Sequence, residues 1–240
     1  MSSRLSAVAC LLLLLAGPAR GAGPGLFDGH IHYSASAWES VPAERALELL
    51  RRAGIERALV SSTPVEGTLR LHALAPELIV PELRPYRSRD DMASWHRDPA
   101  LVDYVAGLLA PGHPFVGLGE VHLQAGDVGS PELDRLLALA LEHRLFVHAH
   151  TDVAGVEALL ARAPRLGVLW AHAGFSARPP AIAALLERHP AVVAELSYRY
   201  DELLDDGRLE PAWRELLLRY PERFVLGSDT WVAERWDALA

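Results

Sequence analysis

The sequence contains no lysine and no asparagine, and its single cysteine is Cys10. Without lysine, the chain cannot form a Schiff base, place a lysine on a phosphate or supply a carboxylated lysine as a metal bridge. It has no G-x-S-x-G motif, which disfavours a serine hydrolase, and no G-x-G-x-x-G motif, which disfavours a dinucleotide-binding fold. The 240 residues are 50% hydrophobic and therefore suffice for one large domain with its own core.

The beginning of the sequence predicts an export signal. Arg4 precedes an apolar run over residues 7–16, and small residues follow up to Ala22. This run is about half as long as a membrane-spanning helix needs to be, so we expect cleavage rather than anchoring. The sequence thus predicts a signal peptide over residues 1–22, one domain over residues 23–240, and a periplasmic or extracellular location.

Acidic residues outnumber basic ones, 31 to 23, and give a net charge of −8, which becomes about −10 without the two arginines of the signal. Such a surface repels nucleic acid and anionic membranes. We therefore expect a small molecule as the partner, with no nucleic acid and no membrane association after signal removal. Homo-oligomerisation stays open.

Short apolar segments alternate with amphipathic segments along the chain. The predicted strands are residues 26–31, 55–61, 77–83, 115–121, 145–149, 166–171, 191–196 and 224–227. The predicted helices are residues 42–53, 99–109, 131–141 with Ser130 as the cap, 153–163, 180–188 and 211–219. This alternation indicates an α/β fold of the (β/α)8 TIM barrel type, with an open doubly wound sheet as the alternative.

A polar residue lies at or just beyond the end of each predicted strand: His32, Ser61, Arg84, Glu120, His148, His172, Glu195 and Asp229. In a closed barrel these ends converge on one mouth, where active sites lie. The first strand ends in Asp28-Gly29-His30-Ile31-His32, and a period of two places Asp28, His30 and His32 on one face. Nitrogen and oxygen donors of this kind suit a divalent metal ion.

These motifs together resemble the amidohydrolase superfamily of metal-dependent hydrolases, in particular its amidohydrolase-related branch. The ligand pattern is also similar to that of TatD-type deoxyribonucleases. The resemblance implies that His30, His32 and Asp229 hold one ion, and that Glu120 bridges to a second ion held by His148 and His172. If Glu120 is not a ligand, as in mononuclear members, it implies one ion held by the histidines and Asp229.

The expected cofactor is one or two divalent transition-metal ions, with Zn²⁺ first and Mn²⁺, Fe²⁺ or Ni²⁺ as alternatives. Such ions turn water into hydroxide near neutral pH. Asp229 is the expected proton acceptor and catalytic residue, with a purely structural role as its alternative.

Several further residues are candidates for supporting the ligands or contacting the substrate. His150 lies two residues after His148, so its side chain is expected on the same face of the strand. It is therefore an alternative ligand. His122 and Asp28 are expected to support the ligands or to line the mouth. Arg84 and Glu195 are expected either to select the substrate or to form a buried ion pair with each other. Tyr198 and Arg199 lie near a strand end, while Trp231 and Trp236 form a pocket wall or pack the last helix.

The predicted function is cleavage of an amide, ester, lactone or related bond of a small molecule. The alternatives are a single-metal decarboxylase of the same superfamily and an inactive barrel that binds a metal or ligand without turnover. Only eleven residues follow Asp229. A complete eighth helix is therefore not expected, and a truncated chain or completion by a partner subunit is predicted.

Overall fold

A computed structural model describes residues 25–124 and 127–239. The predicted signal peptide, residues 1–22, lies outside the described residues and stays a prediction. Eight parallel strands pair in chain order and form a barrel. They are β1 (Leu26–His32), β2 (Ile55–Ser61), β3 (Ile79–Leu83), β4 (Gly117–His122), β5 (Phe146–His150), β6 (Val168–Trp170), β7 (Val192–Glu195) and β8 (Phe224–Val225).

The segment that begins with β8 closes the barrel against β1. The Gly29 amide donates to the Leu226 carbonyl at 2.8 Å, and the His32 amide donates to the Thr230 carbonyl at 2.8 Å. In the reverse direction, the Asp229 amide donates to the His30 carbonyl at 2.8 Å. The predicted (β/α)8 barrel is therefore confirmed.

Each strand is followed by a helix that covers the outside of the barrel. These helices are α1 (Ala43–Arg52), α2 (Glu66–Leu74), α3 (Pro99–Leu108), α4 (Pro131–Glu142), α5 (Val153–Arg162), α6 (Pro179–Arg188), α7 (Pro211–Arg219) and α8 (Ala233–Asp237). Ser130 caps α4 as predicted, because its hydroxyl accepts a hydrogen bond from the Leu133 amide at 3.2 Å. None of the helices in the described part of the chain has the length and apolar character that a membrane crossing requires.

The structure differs from the predicted elements in a few places. Helix α2 was not predicted, because Gly67 and Thr68 face the interior and weaken its apolar pattern. The loop after β3 carries the short helix Asp91–Ser94 and the turn Trp95–Arg97. The loop after β7 carries the short helix Tyr200–Leu203 and a hairpin of Leu204–Asp205 with Arg208–Leu209. Both insertions follow the carboxyl ends of strands, on the side of the barrel where active sites lie.

Apolar side chains fill the barrel and separate it from the helices. Leu59, Val80 and Leu169 form a cluster with residues such as Phe27 and Phe146. Although α8 has only five residues, its Trp236 is completely buried and its ring lies 5.7 Å from that of Tyr33. The predicted packing of the last helix by Trp236 is therefore confirmed. Completion by a partner subunit stays a prediction.

Candidate functional site

Five strands bring histidines and carboxylates together at the carboxyl end of the barrel. His30 and His32 end β1, and their Nε2 atoms lie 3.1 Å apart. Asp229, which follows β8, places Oδ1 3.6 Å from Nε2 of His30 and 3.4 Å from Nε2 of His32. His172, which follows β6, places Nε2 3.4 Å from Oε1 of Glu120 at the end of β4. The side chains that the sequence assigned to a metal centre thus form one compact cluster.

Each of the four buried imidazoles in this cluster is held through its Nδ1 atom by a partner on another strand or loop. The partners are Glu195 Oε2 for His30 at 3.0 Å, Ser61 Oγ for His32 at 2.8 Å, Glu82 Oε2 for His148 at 3.2 Å, and Ser197 Oγ for His172 at 2.8 Å. Such contacts orient the rings of metal-binding histidines and fix their tautomer. All four rings are therefore arranged to offer Nε2 as a ligand atom.

The spacing of the Nε2 atoms of His30 and His32 fits a divalent metal ion. Two nitrogens at about 2.0–2.1 Å from a tetrahedral Zn²⁺ lie roughly 3.3 Å apart, close to the 3.1 Å between His30 and His32. His148 is completely buried, and its Nε2 finds no hydrogen-bond partner among residues 25–124 and 127–239. A buried, unpaired nitrogen is costly unless it binds something. A metal ion would satisfy it.

The potential inside the cluster favours a cation. Burial alone would lower the pKa of His30, but Glu120, Glu195 and Asp229 outweigh it and raise this pKa to about 10. Burial and then the Arg84 charge lower the pKa of His32 well below its ordinary value. The carboxylates therefore concentrate negative potential at His30, the residue common to three of the groups that could hold an ion.

Glu120 is the most heavily contacted carboxylate of the cluster. Its Oε2 accepts hydrogen bonds from Arg84 and His122, both at 3.0 Å, and its Oε1 accepts one from His150 at 2.6 Å. Burial would raise its pKa, but the charge of His30 and then hydrogen bonds from His122, His150 and His172 hold the pKa well below the usual range. Glu120 thus stays ionised and is fixed in place by three side chains.

Two residues of the cluster have left-handed backbone conformations. The φ angle is 55° at His172 and 44° at Asp229. Residues other than glycine rarely adopt such angles, and they persist where the surrounding structure enforces them, often at functional sites. The close packing of the barrel mouth holds both side chains in the cluster.

Asp28 is placed next to the cluster but binds backbone. Its Oδ1 accepts hydrogen bonds from the amides of His30 and Ser228, each at 3.0 Å, and so joins β1 to the segment after β8.

The structure corrects the expected ion pair between Arg84 and Glu195. Arg84 follows β3 and pairs with Glu120 on the adjacent strand β4. Glu195 ends β7, several strands away from β3, and bonds His30 instead. The order of the strands around the barrel therefore keeps the two predicted partners apart.

The remaining candidates divide between the mouth and the scaffold. His122 and His150 stack with ring centroids 4.2 Å apart and line the mouth. Arg199 is completely buried and donates to the carbonyls of His172 and Ala173, both at 3.1 Å, so it supports the β6 loop. Tyr198 is partly exposed and accepts a hydrogen bond from the Trp231 indole at 3.1 Å.

The mouth opens into a cavity of about 460 Å³. Its wall includes His32, Glu120 and Asp229 from the cluster, together with Trp231, which thereby takes the wall position that the sequence allowed for it. This volume is within the range of small-molecule sites. A small molecule in this cavity would therefore reach the cluster.

Two supporting residues, Glu82 and Ser197, were not predicted from the sequence. Glu82 is buried within β3 between apolar neighbours. A buried carboxylate requires a partner, so its position in the apolar segment Ile79–Leu83 was a usable signal. Ser197 gave no such signal, because a serine at a strand end is common.

Comparisons with known proteins agree with this geometry. A sequence model of the protein family described as amidohydrolase matches residues 105–240, which is more than half of the chain. No curated protein matches the sequence.

Several solved structures share the fold. A probable 2-pyrone-4,6-dicarboxylic acid hydrolase from Acinetobacter baumannii is 14% identical with a TM-score of 0.56, and the match covers 90% of this chain and 87% of that one. A 5-methylcytosine deaminase from Klebsiella pneumoniae is 15% identical with a TM-score of 0.57, covering 86% and 63%. A TatD family hydrolase from Entamoeba histolytica is 10% identical with a TM-score of 0.52, covering 85% and 75%. At these identities the likeness shows the barrel fold alone. The family match, together with the cluster at the barrel mouth, shows that the chain is an enzyme that belongs to the amidohydrolase family of metal-dependent hydrolases.

Proposed function

We propose that the chain uses a divalent metal ion to hydrolyse an amide, ester, lactone or related bond of a small molecule. The observation that carries this proposal is the set of four buried imidazoles at the barrel mouth, each held through Nδ1 so that Nε2 is left to bind a metal ion. A barrel that merely kept its fold would not need four such supports. This arrangement argues against an inactive barrel.

The arrangement favours one ion, with Zn²⁺ as the first choice. His30 belongs to the group with His32 and Asp229 and also to the group with Glu120 and His172. A single Nε2 lone pair binds one ion, so both groups cannot be filled separately through His30. The three hydrogen bonds on Glu120 further reduce its capacity to bridge two ions.

His148 is the better ligand candidate on β5. Its Nε2 is buried without a partner in the described residues, whereas His150 is partly exposed and already bonds Glu120. His150 and its neighbour His122 line the cavity, where they would contact the substrate.

The ion, when bound, would polarise the scissile carbonyl and make water a stronger nucleophile. Asp229 lines the cavity and is near both His30 and His32, so its carboxylate is placed to take a proton from the attacking water. As the new carbon–oxygen bond forms and the old carbon–nitrogen or carbon–oxygen bond breaks, Asp229 returns this proton to the leaving group.

The test combines metal analysis with a substrate panel. Protein reconstituted with Zn²⁺ is assayed against amides, esters, lactones and phosphoesters, beside Asp229→Asn. We expect one ion per chain, hydrolysis of a member of the panel, and a loss of turnover of about 10²-fold to 10⁴-fold in the variant, because asparagine cannot accept the proton. The matched control is Asp103→Asn, which makes the same change on the exposed face of α3 and should retain full turnover.

Two results would contradict the proposal. A protein that binds no metal and yet hydrolyses substrate would exclude the metal role. Release of carbon dioxide without hydrolysis would instead assign the single-metal decarboxylase.

A further inference from the structure

The charge of the cavity at the barrel mouth is opposite in sign to the net charge of the protein. Although the chain has a net charge of −8, three arginines line the cavity: Arg84, Arg87 and Arg89. The acidic residues in the lining are Glu120 and Asp229, and both belong to the candidate metal cluster. The part of the cavity away from the cluster is therefore positive.

Arg87 is committed to the structure of the loop after β3. Its guanidinium bonds Asp91, with Nε at 3.0 Å and a terminal nitrogen at 2.8 Å, and also bonds Asp98. The Asp91 carboxylate additionally accepts from the amides of Arg87 and Ser88, at 2.7 and 3.3 Å. These contacts neutralise Arg87 and occupy the backbone amides of Arg87 and Ser88.

Arg89 and Arg84 retain binding capacity. Arg89 is exposed, and no carboxylate of residues 25–124 or 127–239 forms an ion pair with it. Arg84 contacts Glu120 and His122 through one terminal nitrogen, and the other has no acceptor within the described chain. Two guanidinium groups at one cavity with unused donors form a site for an anion.

The other lining residues restrict what kind of molecule carries this anion. Ser34, Ser36 and Thr63 provide hydroxyls, while Met92 and Trp231 provide apolar surface. Phosphate is commonly bound by free backbone amides, but Asp91 already occupies those of Arg87 and Ser88. A planar carboxylate matches the guanidinium donors that remain.

We propose that the substrate is a small-molecule carboxylate. Its carboxylate group binds Arg89 and the free terminal nitrogen of Arg84, its apolar part contacts Met92 and Trp231, and its scissile bond lies at the metal cluster. Because Arg84 is 3.0 Å from Glu120, the anion site and the cluster lie within one small molecule of each other. This inference rests on the proposed function, since it names the substrate class of the same site.

Arg89→Met provides the test, because methionine keeps much of the length and removes the charge. Arg84 is less suitable, since its replacement would also disturb Glu120. The matched control is Arg97→Met, an exposed arginine nearby on the same loop that does not line the cavity. Isothermal titration calorimetry on the zinc-loaded proteins measures binding of succinate, glutarate and benzoate, of their amides, and of inorganic phosphate.

We expect at least one acid to bind the native protein at least tenfold more tightly than its amide. Arg89→Met should weaken that binding by about tenfold or more, the effect of one charge-assisted contact, and Arg97→Met should change it less than twofold. Equal affinity of Arg89→Met and Arg97→Met would mean that the acid binds only the metal, and would overturn the inference. It is also overturned if no acid binds better than its amide, or if phosphate depends on Arg89 more strongly than any acid does.

Calorimetry requires no turnover, so the two proposals can fail separately. Arg89-dependent binding of acids by a protein that hydrolyses nothing would refute the hydrolase function and support the anion site. Hydrolysis that shows equal KM for acidic and uncharged substrates would support the function and refute the anion site.

Discussion

Replacing Glu82 by glutamine would test whether the contacts to Nδ1 prepare the histidines for a metal ion. Glu82 is buried, and its Oε2 accepts a hydrogen bond from His148 Nδ1 at 3.2 Å. Glutamine has almost the same shape and can still accept this bond, but it lacks the charge. A metal ion on Nε2 would draw electrons from the ring, so the contact with a carboxylate strengthens when the ion binds.

The size of the effect follows from this change in charge. Loss of a supporting partner typically reduces metal affinity by 10-fold to 100-fold, which equals about 1.4–2.8 kcal/mol. In the absence of metal, the substitution is expected to have the opposite effect on stability, because Glu82 Oε1 is buried and has no hydrogen-bond partner within the described residues. An ionised carboxylate with a buried, unpaired oxygen carries a desolvation cost that a neutral amide of the same shape largely avoids. Glu82→Gln should therefore not lower the stability of the metal-free protein.

Competition with a chelator measures the Zn²⁺ affinity, and thermal unfolding with and without Zn²⁺ measures the stability. The control is Glu77→Gln, which removes an exposed carboxylate that makes a 3.6 Å contact with Arg51. Wild-type Zn²⁺ affinity in Glu82→Gln would refute the reasoning. An equal loss of affinity in Glu77→Gln would also refute it, since the effect would then depend on overall charge.

Three further predictions concern other parts of the molecule. His148→Gln should lose most of the metal, whereas His150→Gln should retain it and raise KM; elemental analysis distinguishes the two, and metal loss in His150→Gln would exchange their roles. Trp236→Ala should destabilise the protein by about 3–5 kcal/mol in urea unfolding, while Trp236→Phe should cost much less, because the indole N–H has no acceptor in the described chain. Burial and then the His143 charge lower the pKa of His113 in the folded protein below 6.5. As the pH drops through 6.5, the His113 imidazole is therefore protonated in the unfolded chain before it is protonated in the folded protein, and stability falls. His113→Gln should reduce that fall between about pH 7.5 and 5.5, and an unchanged pH dependence would contradict the assignment.

Much of the fold follows from local patterns in the sequence. Apolar strands and amphipathic helices depend on neighbouring residues, so their alternation is legible without a structure. The barrel then places polar residues at the ends of consecutive strands around one mouth. This is why the ligand candidates from His30 to Asp229 could be assembled before their distances were known. The boundaries were less accurate, and α2 was missed because its inward face is small and partly polar.

Only the tertiary structure decided how these residues are supported and charged. His30 is bonded by Glu195, which is 165 residues away, and His148 by Glu82, which is 66 residues away. Pairing of Arg84 with Glu120 instead of Glu195 likewise depends on which side chains meet across the barrel. The same is true of the cavity, where Asp91 and Asp98 occupy Arg87 and leave Arg89 free of a carboxylate partner within the described residues. Contacts between distant residues depend on the three-dimensional arrangement of strands and loops, and local sequence patterns do not encode them.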